Sequence, residues 1–208
     1  MNPRFQSPLM SLLAAAALVS SLSACAPLMV GGAVMTGLVA VDRRTSGMQL
    51  EDESIELRTY QGLRRGLSEN SHINVTSYNR QVLLTGEVAS AADKERADKI
   101  TQSQENVKAV ANELVIQPVS TLTSRSKDTI ISGQIKALFV DAKDLQSNAF
   151  KVVTEQGVVY LMGRVTSREA QRATDIARSV SGVTKVVRVL DIITEEELKR
   201  LSAPTSSK

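Results

Sequence analysis

Apolar positions along the chain fall into two blocks with the same rhythm. From Ile73 to Val88 apolar residues alternate with other residues around Asn79-Arg80, and from Phe150 to Val165 they do so again around Gln156-Gly157. Period-two alternation on both sides of a two-residue turn predicts a β-hairpin. Laid over one another, the two segments agree at their apolar positions and at one glycine, Gly86 and Gly163. After each hairpin comes a polar residue with an acid three positions on, Ser90 with Asp93 and Thr166 with Glu169, the pattern of a capping box at a helix start. The first of these helices should run to about Gln104. The second should run to about Ser181, with Ala170, Ala173, Ile176, Ala177 and Val180 on one face. Val-rich strands follow at Val107 to Ile116 and Val183 to Ile193, and an amphipathic helix precedes each hairpin, at Ser54 to Leu67 and Asp128 to Val140.

Such a repeat predicts an α+β fold of two tandem modules, each α-β-β-α-β, with a three-stranded mixed sheet covered on one face by two helices. The hairpin is antiparallel, and the helix carries the chain over to the third strand. The modules are placed at 51–117 and 127–194, joined by a Ser/Thr-rich linker at 118–126 and followed by a C-terminal tail at 195–208.

The first fifty residues follow another pattern. A weakly basic start with Arg4 leads into the apolar run Leu9 to Val19 and ends in Leu22-Ser23-Ala24-Cys25. That run is short for a bilayer span, and small residues before a cysteine suit a signal peptidase, so 1–24 read as an export signal. The four residues resemble the bacterial lipobox, which implies that Cys25 carries diacylglycerol as a thioether and an acylated amino group. The competing reading is an ordinary secretory signal with an incidental cysteine. Residues 25–50 then form a lipidated tether, its apolar part Gly-rich at Gly31, Gly32 and Gly37, before the charged Asp42-Arg43-Arg44. Two or three chains on Cys25 would hold the protein durably, since each buried methylene adds about 0.8 kcal/mol. By resemblance to Gram-negative lipoprotein sorting, Ala26 rather than Asp after the cysteine implies the outer membrane, with the modules on its periplasmic face.

Composition narrows the chemistry. Aromatic residues make up 3% of the 208, with no Trp, so small modules are expected rather than one large core. A single His (His72) and a single Cys supply neither a His/Cys metal site nor an internal disulfide nor a His-dependent triad within one subunit. His72 reads as a solvated loop residue before a strand. The clusters Glu51-Asp52-Glu53 and Glu195-Glu196-Glu197 read as solvated linker or helix-start charges, and Gly31-Gly32 lack the rest of a phosphate-binding loop. No catalysis, metal or cofactor is expected. Export removes nucleic acid as a partner, and no aromatic stacking platform is present.

The Val-x-Leu-x-Gly-x-Val signature (Val82, Leu84, Gly86, Val88; Val159, Leu161, Gly163, Val165), the order of elements and Gly182-Val183 resemble the BON domain. With the lipobox, two copies and Asp42-Arg43-Arg44-Thr45-Ser46-Gly47 ahead of the first, the chain is similar to the dual BON-domain outer-membrane lipoproteins from about Cys25 to Ile193. The motif glycines have a structural role available, letting a strand end bend or a helix pack closely. The resemblance implies recognition of anionic phospholipid, support of outer-membrane integrity and localisation to division sites. In that family the first helix of the second module faces the membrane, with Trp at the position of Ile130.

Charge points to the same module. Residues 51–117 hold 8 basic and 11 acidic side chains, net −3, whereas 118–193 hold 11 basic and 7 acidic, net +4. On the helix Asp128 to Val140, Ile131, Ile135, Leu138 and Phe139 form the stripe expected to face the sheet. Ile130, Gly133, Lys136 and Ala137, with Val140, fall largely on the other side, where longer polar residues are usual. Phospholipid binding is therefore expected at Ile130, Gly133, Lys136 and Ala137. The plain alternative is that Ile130 is a scattered surface residue or covers the linker. The alternative function is a periplasmic adaptor that grips an envelope protein partner, or a stress-related holdase.

Overall fold

Asn79 and Arg80 both take positive φ, 52° and 66°, as do Gln156 and Gly157 at 50° and 75°. Two successive left-handed residues form the tight turn whose twist matches a β-hairpin. The computed structural model describes residues 42–202. Its elements are α1 (Ser46–Gly66), β1 (His72–Tyr78), β2 (Gln81–Val88), α2 (Ala91–Gln102), β3 (Ala109–Asn112) and β4 (Val115–Ile116). There follow α3 (Leu122–Asp141), a 3-10 turn (Ser147–Ala149), β5 (Phe150–Glu155), β6 (Val158–Thr166), α4 (Ser167–Ser179), β7 (Lys185–Ile193) and α5 (Glu195–Ser202). β1 and β5 run antiparallel to β2 and β6, and the third strand of each sheet runs parallel to the middle one. The α+β fold of two tandem α-β-β-α-β modules is thus observed.

Several boundaries differ from the sequence reading. α1 begins inside the expected tether because the Thr45 hydroxyl accepts the Met48 amide at 3.2 Å. α3 takes up Leu122 to Ser126, expected as linker, because Thr121 serves as its N-cap and accepts Ser124 N at 3.2 Å. The start of the expected tail forms α5, with Glu195, Glu196 and Glu197 in its first turn, where the helix dipole favours acids. The capping box at Thr166 and Glu169 is complete. At Ser90 only half of it forms, since the Asp93 carboxylate accepts the Ser90 hydroxyl instead of the backbone amide. The strand expected from Val107 to Ile116 is interrupted: Leu114 turns into the core and its amide is accepted by Asn112 Oδ1 at 3.3 Å.

Each module's first helix carries a buried aspartate that holds its hairpin turn. Asp52 accepts Asn79 N and Arg80 N, both at 2.8 Å, and Ser77 Oγ at 2.7 Å. Asp128 accepts Gln156 N at 2.8 Å and Gly157 N at 2.9 Å. Asp52 is therefore not the solvated charge expected from its acidic neighbours. Burial pushes its carboxyl up, but the bonds from Arg80, Ser77, Arg44 and Asn79 outweigh this and hold it below the ordinary value.

One face of each sheet meets its own helices. Val82, Leu84 and Val88 pack with Ile55 and Leu63 in the first module, and Val159, Leu161 and Val165 pack with Ile131, Ile135 and Phe139 in the second. The opposite faces meet each other: Tyr78 and Leu83 of the first sheet form one buried cluster with Tyr160, Met162 and Val189 of the second. This sheet-to-sheet contact answers the question that a one-sided sandwich leaves open, namely what covers the bare face. It also leaves both helical layers on the outside. Gly86 and Gly163 admit close backbone neighbours, not a packed helix. A Cβ there would lie 2.1 Å from His72 O or 2.3 Å from Ala149 O, so Gly86 lets the backbone of β1 approach and Gly163 that of the 3-10 turn leading into β5.

Candidate functional site

The helical layer of the second module presents α3 to solvent along its whole length. Ile131, Ile135 and Phe139 face the sheet, while residues three and four apart on the other side form a continuous outward row. In that row Leu122 is 78%, Ile130 60% and Val140 70% exposed. Gly133, Lys136 and Ala137 are exposed beside them, and nothing lies within 4 Å of the place a Gly133 Cβ would occupy. All four residues expected for phospholipid binding thus share one open face. Leu138, expected in the core stripe, is instead 40% exposed and widens the apolar area toward one flank. It sits at the edge of the stripe, where Phe139 and Ile135 already fill the space against β5.

The charges on this face are few and mostly positive. Lys127 and Lys136 on α3 and Lys143 just beyond it are exposed and have no ion pair among the described residues, while Asp141 and the Arg172-paired Asp144 add acids at that end. Ammonium groups on long flexible stems beside small and aliphatic residues can meet phosphate oxygens while the apolar tips enter the headgroup layer. No helix among the described residues is long and apolar enough to cross a membrane.

The seam between the modules holds groups that the sequence reading did not assign. Arg43 reaches across to Glu169 with two bonds, Nη1 to Oε2 at 2.8 Å and Nη2 to Oε1 at 2.7 Å, and also donates to Arg164 O at 2.9 Å. Burial pushes the Glu169 carboxyl up, yet the Arg43 side chain and the Thr166 amide hold it below its ordinary value. Arg44 pairs with Asp42 and Asp52, each at 2.7 Å, and its guanidinium lies 4.2 Å from the centre of the Tyr78 ring. Asp42-Arg43-Arg44 looks like a charged end of the tether in sequence. The double arginine beside buried acids of both modules makes it a clasp. The only legible signal was the sequence motif itself, because the acceptors of Arg43, Glu169 and Arg164 O, lie more than a hundred residues away.

His72 is likewise misplaced by the sequence reading. It opens β1 instead of sitting in a loop, is only 21% exposed on its side chain, and places Nδ1 3.1 Å from Oε2 of its cross-strand partner Glu87. Glu155 of the second module completes a group in which one ligand atom from each residue lies within 4.8 Å of the others. A single His argued against a His/Cys metal site, and strand pairing supplies a mixed set with carboxylates instead.

A family model described as the BON domain matches residues 51–118 and again 127–194. The chain is 35% identical over 171 residues to the outer membrane lipoprotein DolP of Haemophilus influenzae, an alignment covering 81% of this chain and 88% of that protein. It is 32% identical over 155 residues to a 21 kDa hemolysin of Actinobacillus pleuropneumoniae, covering 74% of this chain and 80% of that one. It is also 32% identical over 121 residues to the osmotically-inducible protein Y of Escherichia coli, covering 57% and 60% of the two chains.

Proposed function

We propose, starting from the fact that this chain belongs to the BON-domain family as a dual-BON outer-membrane lipoprotein of the DolP kind, that its second module binds anionic phospholipid headgroups through the outer ridge of α3. The observation that carries this reading is the exposed row Leu122, Ile130 and Val140 running past Gly133 and Ala137, with Lys136 alongside. Small residues let the helix axis approach the surface. The aliphatic tips each gain up to about 1.5–3 kcal/mol if fully buried, and each lysine near an anionic surface adds about 1 kcal/mol. Contacts of that size give reversible binding. An acylated Cys25, which lies outside the described residues, would hold the modules near the bilayer, so that weak contacts act at high effective concentration. The protein then works by adhesion in the periplasm, supporting outer-membrane integrity and gathering at division sites by recognising anionic phospholipid.

Co-sedimentation of the unlipidated chain with phosphatidylglycerol vesicles at low salt tests this. Binding is expected, with Ile130→Glu weakening it about 30-fold or more and Lys136→Gln about fivefold, from the burial and charge contributions above. Absence of binding, or binding unchanged by Ile130→Glu, contradicts it.

A second reading, a protein-binding adaptor, draws on the first module. Leu50, Leu57 and Tyr60 are exposed on α1, and a groove lined by Leu57, Tyr60, Ile73 and Val75 runs beside the edge strand β1. An edge strand next to an apolar groove suits an extended segment of another envelope protein.

A further inference from the structure

The two modules meet in reciprocal fashion, with each hairpin turn reaching the far end of the other module's sheet. Asn79 of the first turn donates to Asp191 at 3.0 Å, and Gln156 of the second turn donates to Glu87. The ends of this arrangement differ in charge. At one end Tyr78 and Arg164 lie with the arginines of the clasp. At the other, the positions equivalent to them in the repeat are Glu155 and Glu87, and both are acids. Glu87 is fully buried and Glu155 is 7% exposed, and among the described residues neither has a Lys or Arg ion-pair partner. Arg125 and Lys136 line the outer part of an open groove of about 380 Å³ that reaches His72, Asn74, Asp128 and Glu155, but they form no ion pair with these acids.

Two buried carboxylates facing one imidazole call for a compensating cation, since burying unpaired charge is costly. The donor chemistry decides which cation fits. One imidazole with two carboxylates suits a first-row divalent metal better than calcium or magnesium, which prefer oxygen alone. The spacing is near that of a filled site: donors about 2.0–2.2 Å from a tetrahedral zinc lie a little over 3 Å apart, as His72 Nδ1 and Glu87 Oε2 do at 3.1 Å, and Glu155, within 4.8 Å of both, closes in on binding. An outer layer is already in place. Asn74 Nδ2 donates to Glu155 Oε2 at 2.9 Å and Gln156 donates to Glu87 Oε1, which fixes each carboxylate while leaving another oxygen for the ion.

We propose that His72, Glu87 and Glu155 form a binding site for a divalent first-row transition metal ion, of the zinc class, that ties the first module to the second. Water from the adjoining groove completes the coordination. The ligands come from β1, β2 and β5, so the bound ion holds the sheets in register at the end of the seam opposite the Arg43 clasp. None of the three ligands lies on the lipid ridge, and the site stands whether or not α3 binds a membrane.

His72 is the only histidine in the sequence, so its ring resonances are assigned without mutation. The experiment is a zinc chloride titration of the full chain, purified without a polyhistidine tag and stripped with chelator, followed by the His72 ring nitrogen signals at neutral pH. The expected result is a shifted His72 signal that saturates at one equivalent of zinc. Glu155→Gln should raise the zinc dissociation constant tenfold or more, and the conservative change should leave the fold intact. Cobalt(II) should give visible absorption of a low-coordinate site in the wild-type chain and lose it in His72→Ala. A His72 signal indifferent to excess zinc, or zinc affinity equal in the wild-type and Glu155→Gln chains, overturns the proposal.

Discussion

Replacing Arg43 by Ala should destabilise the folded chain by about 3–5 kcal/mol in urea unfolding at neutral pH, because it strands a buried carboxylate. The Arg43 and Glu169 side chains are 8% and 3% exposed, and the guanidinium satisfies both carboxylate oxygens. Burial separates this pair from Lys99–Glu95, whose side chains are largely exposed to screening solvent and whose loss should barely change stability. Arg43→Ala and Lys99→Ala measured side by side therefore test whether Asp42-Arg43-Arg44 is a clasp or the end of a tether. Equal, small effects would show a tether. The pH dependence gives a further check. Glu169 titrates below its ordinary 4.5 in the folded chain, so its contribution is present above that value and lost as the pH falls through the lowered one. The difference between wild type and Arg43→Ala should accordingly shrink in acid.

Asp52→Ala should cost a similar amount, about 3–5 kcal/mol, by another route. It leaves the Asn79 and Arg80 amides and the Ser77 hydroxyl without their acceptor, and Arg44 without a buried partner. Each unmet buried donor costs about 1–3 kcal/mol, partly relieved where water reaches the turn. Asp128→Ala removes two amide acceptors and no ion pair, so its effect should be the smaller. Urea midpoints for the two variants check that order, and a larger loss for Asp128→Ala would contradict the assignment of Asp52 as the junction of turn and clasp.

Local pattern made the modules legible. Alternation around Asn79-Arg80 and Gln156-Gly157, and the polar starts at Ser90 and Thr166, are signals that act within a few residues, and the structure follows them. Where a local signal has two uses, sequence alone does not choose between them. Thr121 looked like linker chemistry and is a helix cap, and Asp52 looked like one of three solvated acids and is the buried one. What joins the modules was not legible. Tyr78, Leu83, Tyr160, Met162 and Val189 occupy alternate strand positions that suit a half-covered sheet, and nothing in a single strand says which surface covers its second face. The same limit hid the His72, Glu87 and Glu155 cluster, since its members come together only through strand pairing and module docking. The α3 ridge was legible because helical periodicity alone separates its inner from its outer face. Leu138, at the boundary of the two, is the one residue there that was assigned to the wrong side.

Two modules docked through their sheets leave the outer side of α3 free to meet anionic headgroups. The most direct test is an amide-resolved NMR titration of the unlipidated chain with bilayer discs, comparing phosphatidylglycerol with a zwitterionic lipid. Changes are expected only at Ile130, Gly133, Lys136, Ala137 and their neighbours on α3, and only with the anionic lipid, while Leu83, Tyr160 and Met162 stay still. Changes centred on the inter-sheet cluster or on β1, or equal changes with both lipids, would contradict it.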